Sequence, residues 1–93
     1  MNTKDEIAQV LKSALKVAEV EVRDDSGLHA GHKQAGGGGH YAVIVVSDLF
    51  QDKSLIERHR MVNEAVFGAL QEKVHALAIK AMTLNEWQQK KGS

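Results

Sequence analysis

The feature that most constrains the fold is an apolar strand, a helix and a second apolar strand in succession. The run from His40 to Ser47 is apolar on both alternating faces and β-branched, which favours a strand inside a sheet. Ser54 and Glu57 have the spacing of a capping box and predict the start of a helix. Its apolar stripe comprises Leu55, Val62, Val66, Ala69 and Leu70. The apolar run from Val74 to Met82 predicts another strand, parallel to the first and reached by a right-handed crossover.

The N-terminal part of the chain predicts a helix followed by a half-buried strand. Thr3 and Glu6 have the spacing of a second capping box, and apolar residues follow at helical intervals. These features predict a helix from about residue 4 to about residue 16. The segment Val20 to Arg23 alternates apolar and polar residues, which is typical of a strand with one buried face.

The segment from Asp24 to Gly39 interrupts this pattern. It contains six of the eight glycines and almost no residues that could build a core. A loop of this length in a small domain is usually functional or mobile. We expect a mobile loop joining the two flanking strands, which pair most simply as an antiparallel hairpin.

The remaining segments complete an α+β domain. Asp48 to Lys53 reads as a polar connection with a short helical turn. Thr83 and Glu86 form a third capping-box pattern and predict a short final helix, with residues 90–93 frayed. The chain therefore predicts one domain over residues 1–93, with the order α-β-β-α-β-α and a small three-stranded mixed sheet.

Composition narrows the range of functions. Twelve basic residues balance twelve acidic residues, which argues against a protein whose main task is to coat nucleic acid or an anionic membrane. The 93 residues include no cysteine, so they offer no disulfide and no thiolate. The first residues lack the features of a signal or transit peptide, and no apolar run is long enough to cross a bilayer. A cytoplasmic protein without membrane contact is expected.

Histidines are the residues best suited to metal chemistry in this chain. There are five: His29, His32, His40, His59 and His75. Their spacings match no zinc motif, and a single histidine is more often structural or solvated than a ligand. The sequence also lacks a nucleophile elbow, a P-loop and a dinucleotide-binding glycine motif, so we expect a protein that is not an enzyme.

Two of these histidines suggest a shared half-site. By strict alternation along its strand, His75 shares a face with Leu77 and Ile79, at the rim of the core. His29 lies in the glycine-rich loop, from which it could swing towards a ligand. A partner molecule would supply the remaining ligands of such a site.

A second hypothesis concerns basic residues near the start of the main helix. Arg58, His59 and Arg60 follow one another, with Lys53 a short distance before them. They form either a solvated polar helix face or a small surface that contacts phosphate groups.

Several segments together resemble the BolA family, in matching order over nearly the whole chain. The two most specific strings are ERHRMV at residues 57–62 and VHALAIKAMTLNEW at residues 74–87. EVRDDSGLH at residues 21–29 is similar to the family's loop entry, and SDLF at residues 47–50 to its strand exit. The four glycines before His40 depart from the family's usual polar stretch.

The resemblance implies a fold akin to the class II KH arrangement. It also implies a partnership with a monothiol glutaredoxin around a bridging [2Fe-2S] cluster completed by glutathione, in cluster assembly, cluster trafficking or iron regulation. The family's strand ligand corresponds to His75 and its loop ligand to His29, with His32 as the fallback. No cofactor is expected in the isolated chain, which would be a monomer or weak homodimer.

The resemblance also implies an alternative function as a nucleic-acid-binding transcriptional regulator. The family's suggested nucleic-acid surface corresponds to the helical segment around Arg58, His59 and Arg60. Lys53 could add a phosphate contact, and the balanced charge of the chain predicts weak affinity for DNA.

Overall fold

The secondary structure confirms the predicted order of helices and strands. A computed structural model describes residues 3–24 and 39–92. The elements are α1 (Thr3–Leu15), β1 (Glu19–Asp24), β2 (Gly39–Val46), α2 (Leu55–Leu70), β3 (Val74–Met82) and α3 (Leu84–Gly92), with a 3-10 turn at Asp48–Phe50. The prediction of a mobile loop falls mainly on residues 25–38, which lie outside the described residues.

The three strands form one mixed sheet in the order β1-β2-β3. β1 pairs with β2 in antiparallel orientation, with Val22 opposite Val43. β2 pairs with β3 in parallel orientation, with Val43 opposite Ile79. The central position of β2 explains why its sequence is apolar on both faces. The predicted hairpin and the predicted parallel pair are both confirmed.

One face of the sheet carries the core, against which α1 and α2 pack. In β2 the buried residues Tyr41, Val43 and Val45 alternate with half-buried ones, so the odd-numbered positions face the helices. The helices contribute Ile7, Leu11, Leu15, Val62, Val66 and Leu70. Phe50, in the 3-10 turn, is also fully buried and belongs to the same core.

Two of the three predicted capping boxes form. The hydroxyl of Ser54 accepts a hydrogen bond from the Glu57 backbone N–H at 3.2 Å, and the Glu57 carboxylate accepts one from the Ser54 N–H at 2.9 Å. Thr83 and Glu86 make the same reciprocal pair at 3.2 and 2.9 Å. Both boxes satisfy backbone donors that a helix start leaves without a partner inside the helix.

The capping box predicted at Thr3 and Glu6 is wrong. α1 already includes Thr3, and both carboxylate oxygens of Glu6 lie 2.9 Å from the Lys73 Nζ. Lys73 lies in the turn between α2 and β3. Glu6 therefore links the start of α1 to a turn that is distant in sequence.

The apolar stripe predicted along α2 is correct at three of its five positions. Val62, Val66 and Leu70 are buried, whereas Leu55 is 66% exposed and Ala69 is also exposed. The first turn of α2 lies beyond the core, because the contacts of this helix with the core begin only after residue 60.

The C-terminal helix is longer than the sequence predicts. α3 continues to Gly92, so the backbone of residues 90–92 is helical. Fraying of this helix end stays a prediction, and Ser93 lies outside the described residues. Within residues 3–24 and 39–92, every helix is too short or too polar to span a bilayer.

Candidate metal-binding site

His75 lies at an irregularity in the pairing of β2 with β3. Gly39 is aligned with Val74, and His40 is aligned with Ala76. Gly39 and His40 are consecutive in β2, but their partners in β3 are two residues apart. His75 has no partner in β2 and is therefore the extra residue of a β-bulge. The start of β2 is held against this point by a 3.1 Å hydrogen bond from the Gly39 N–H to the Lys73 carbonyl.

The bulge changes the face on which His75 lies. Val74 is 3% exposed and Leu77 and Ile79 pack against the core, whereas His75 is exposed. The extra residue shifts the alternation by one position, so Val74 takes the buried side that strict alternation assigns to His75. The prediction that His75 shares a face with Leu77 and Ile79 is therefore wrong. The imidazole is accessible to a ligand from outside the domain.

His40 is the neighbour of His75 on the adjacent strand. The centroids of the two imidazole rings lie 5.3 Å apart, and the ring planes are inclined by 43°. His40 is half-buried and His75 is exposed. The start of the parallel strand pair thus brings two imidazoles together at one edge of the molecule.

Sequence reasoning missed the pairing of His40 with His75, although the sequence contains a signal for it. Each histidine is the second residue of its strand. Neighbouring parallel strands begin at the same edge of a sheet, so residues near their starts come close together. The predicted strand–helix–strand unit is therefore enough to place these two histidines at the same edge.

The other predicted metal ligands, His29 and His32, lie outside the described residues. Across residues 3–24 and 39–92, no three residues of the His, Cys, Asp and Glu types are grouped closely enough to hold a metal ion. Among the described residues, the candidate metal ligands are therefore the two neighbouring imidazoles of His40 and His75.

Arg58 belongs to the segment for which the sequence leaves open a polar helix face or a phosphate-binding surface, and its side chain is used inside the fold. The guanidinium donates from Nε to the Lys53 carbonyl at 3.0 Å and from Nη1 to the Ala81 carbonyl at 3.2 Å. It also pairs with Glu86, through Nη1 at 2.8 Å and Nη2 at 3.4 Å. Only 11% of the Arg58 side chain is exposed. Arg58 thus joins α2, β3 and α3, and four of its five guanidinium N–H donors are used within the fold.

The Arg58–Glu86 pair has an electrostatic consequence. The Arg58 side-chain hydrogen bond, followed by the Thr83 backbone hydrogen bond, holds the pKa of the Glu86 carboxyl below its usual value. The Glu86 side chain is 45% exposed, so water screens much of this interaction. Glu86 both caps α3 and closes the contact with α2.

The remaining residues of the proposed phosphate-binding surface are accessible. Lys53 and Arg60 are exposed, and His59 is half-buried. Glu57 lies close by, and hydrogen bonds from the Ser54 backbone and hydroxyl lower the pKa of its carboxyl, with smaller contributions from Lys53 and Arg60. A carboxylate beside these two cations weakens the attraction of this surface for a polyanion.

Three large apolar residues lie exposed around the start of α2. Leu55 and Ile56 are 66% and 68% exposed, and Leu49 in the 3-10 turn is 42% exposed. Scattered exposed apolar residues are common on monomeric proteins and by themselves indicate no partner.

Comparison with known proteins gives a consistent family assignment. The model of the family described as BolA-like protein matches residues 11–86. Protein BOLA2 of Arabidopsis thaliana is 43% identical over 88 residues, which cover 94% of this chain and 85% of that protein. The DNA-binding transcriptional regulator BolA of Escherichia coli strain K12 is 34% identical over 88 residues, covering 95% of this chain and 82% of that protein.

A solved structure supports the same assignment. The BolA domain of SufE1 from Arabidopsis thaliana superimposes with a TM-score of 0.78 at 37% identity, covering 92% of this chain and 96% of that one.

Proposed function

Because the chain belongs to the BolA family, we propose that it acts as a binding partner of a monothiol glutaredoxin and not as an enzyme. The two proteins would hold a [2Fe-2S] cluster between them, in cluster assembly, cluster trafficking or iron regulation.

The observation that carries the proposal is the exposed imidazole of His75 at the bulge of β3. Its strand is paired with the central strand on both sides of the bulge, at Val74 and from Ala76 to Met82, so these pairs hold the backbone that bears the ring before any iron arrives. Imidazole nitrogen is a suitable ligand for iron. An accessible ring on a rigid strand fits a cluster that approaches from a partner's surface.

The donor set explains why a partner is required. Iron–sulfur clusters are normally held by four ligands in which cysteine thiolates predominate, although two imidazoles can serve one iron. The 93 residues contain no cysteine. The thiolates must therefore come from the glutaredoxin and from glutathione, while this chain contributes His75 and a second imidazole. The family resemblance assigns that second ligand to His29, with His32 as the fallback.

Reconstitution with a monothiol glutaredoxin, iron, a sulfide source and glutathione tests the proposal. The mixed complex should develop visible absorption and circular dichroism that differ from those of the glutaredoxin alone. His75→Ala should abolish the imidazole contribution to this spectrum or leave only a labile complex. The matched control is His59→Ala, which removes an imidazole on α2, away from the strand pair, and should leave the spectrum intact. A His75→Ala complex with unchanged spectrum and cluster lifetime would refute the assignment.

The loop histidines require separate variants. His29→Ala should weaken the cluster signal less than His75→Ala, because His32 can substitute from the same loop. The double change of His29 and His32 should approach the His75 effect. A wild-type spectrum in the double variant would show that neither His29 nor His32 is a ligand of the cluster.

DNA binding is the second candidate function, and the name of the E. coli relative favours it. On this chain the exposed cations available for phosphate contacts are Lys53 and Arg60, since Arg58 is engaged within the fold. With a balanced total charge and Glu57 beside these cations, we propose that any nucleic-acid affinity of this domain alone is weak.

A further inference from the structure

We propose that His40 and His75 together form a two-imidazole site for a single divalent transition-metal ion such as Zn²⁺. The site lies at the start of the parallel strands β2 and β3 and needs neither a glutaredoxin nor residues 25–38. It shares His75 with the proposed cluster site, but it can exist whether or not a cluster complex forms.

The separation of the rings fits two ligands of one ion. A Zn–N bond of about 2.1 Å plus about 1.1 Å from the nitrogen to the ring centre places each centroid about 3.2 Å from the metal. With tetrahedral coordination, two such rings have centroids about 5 Å apart. The observed separation is 5.3 Å. The observed separation is therefore compatible with one nitrogen of each ring binding a common ion.

The backbone supports this geometry from both sides. β2 is the central strand, and its pairing with β3 continues without further irregularity from His40 to Val46. At the start of the pair, the Gly39 N–H bonds the Lys73 carbonyl at 3.1 Å. Sites built on helices and strands position their ligands more precisely than sites built on loops.

The bulge is what makes the pair accessible. Without the extra residue, the alternation that places Leu77 and Ile79 against the core would continue back to His75 and put it on the core side. The extra residue instead exposes His75 next to the half-buried His40. A β-bulge that redirects a side chain at the end of a strand is a known feature of binding sites.

The donor set selects the class of ion. Imidazole suits Zn²⁺, Cu²⁺ and Ni²⁺, whereas Mg²⁺ and Ca²⁺ prefer oxygen ligands. In the described ranges no third His, Cys, Asp or Glu completes the group. Water or a ligand from another molecule would fill the remaining positions, so the site is open and binds its ion less tightly than a four-ligand structural site.

Zn²⁺ titration of the full chain, without glutaredoxin, iron or glutathione, tests the site. Calorimetry should give one Zn²⁺ per chain, and the ¹⁵N resonances of the His40 and His75 rings should shift together. His40→Asn and His75→Asn should each weaken Zn²⁺ binding by at least about tenfold, since losing even an outer-shell partner of a metal ligand costs that much. The double variant should be little worse than either single variant, because one remaining imidazole holds the ion poorly.

Two controls separate this site from its alternatives. His59→Asn and the His29→Asn/His32→Asn double variant should bind Zn²⁺ as the wild type does. Wild-type affinity in His40→Asn, with a normal melting curve, would overturn the proposal and reduce the 5.3 Å contact to the packing of two aromatic rings. Equal loss in the His29/His32 variant would also overturn it, by placing the ligands in the loop. Failure of this titration leaves the glutaredoxin reconstitution unaffected, because that complex supplies its own thiolates.

Discussion

Arg58 and His75 both belong to sequence strings that resemble the BolA family, but the fold uses them in opposite ways. The Arg58 side chain is 11% exposed and donates to two backbone carbonyls and to Glu86. His75 is exposed at a bulge and contacts another imidazole. A motif residue with its polar groups satisfied internally supports the fold, whereas an exposed one on a rigid strand can serve a ligand. The two residues should therefore respond differently to substitution.

The largest expected effect is the loss of stability in Arg58→Ala. The change removes the hydrogen bonds that the Lys53 and Ala81 carbonyls accept from Arg58. It also removes the cation that pairs with the Glu86 carboxylate. The Ala81 carbonyl belongs to a residue that is only 5% exposed, so the loss of its partner is costly. We expect the unfolding free energy to fall by about 2 kcal/mol, and the melting temperature by about 10 °C.

Chemical denaturation and thermal melting measure this effect. Arg60→Ala is the matched control, since Arg60 is exposed on the same helix and should change stability by less than about 0.5 kcal/mol. Equal stability of the two variants would mean that the Arg58 contacts do not stabilise the fold. Arg58 would then no longer differ from His75 as a structural residue.

A smaller effect is expected from Glu86→Gln, and it should depend on pH. The folded-state pKa of Glu86 is depressed by Arg58 and by the Thr83 cap, so the ionised form stabilises the native state. That contribution is present above the unfolded pKa of about 4.3 and is lost as pH falls through the lower folded pKa. Glutamine can retain the cap but not the charge.

Urea unfolding of the wild type and Glu86→Gln from about pH 3 to about pH 7, a range that spans carboxylate titration, checks this sign. The wild type should be more stable near neutral pH, and the difference should shrink with acidification. A difference that grows as pH falls would contradict the depressed pKa.

The surface near Arg58 gives a weaker effect on binding. Replacing Lys53 and Arg60 together by alanine should lower DNA affinity and reduce the magnitude of the salt dependence by up to about 2 in slope, one for each lost phosphate contact. Binding assays at several salt concentrations measure both quantities. Submicromolar, sequence-selective DNA binding by the wild type at physiological salt would instead support nucleic-acid binding as the main function of this chain.

The smallest expected effect is that of His75→Asn on stability. The ring is exposed, and the core is built from other residues, so the unfolding free energy should change by less than about 0.5 kcal/mol. Thermal melting measures this beside the reconstitution and Zn²⁺ experiments. A loss comparable to that of Arg58→Ala would show that His75 is structural, and its effects on ligand binding could no longer be read as lost coordination.

Local patterns in the chain are enough to predict the order of elements, the mixed sheet and two helix starts. The patterns are the apolar run of β2, the strand character of residues 74–82, and the capping boxes at Ser54 and Thr83. Each pattern lies within a few residues, where propensity and hydrogen-bond geometry are strong guides. The family resemblance is likewise readable from contiguous strings and is confirmed.

The contacts between those elements arise only when the chain packs. Glu6 bonds Lys73, 67 residues away, rather than capping its own helix, and Arg58 reaches Glu86 across 28 residues. A bulge at His75 reverses the face that alternation predicts and sets the ring beside His40. Such contacts depend on strand register and on how helices dock, which no short stretch of sequence encodes, because a shift of one residue exchanges the two faces of a strand.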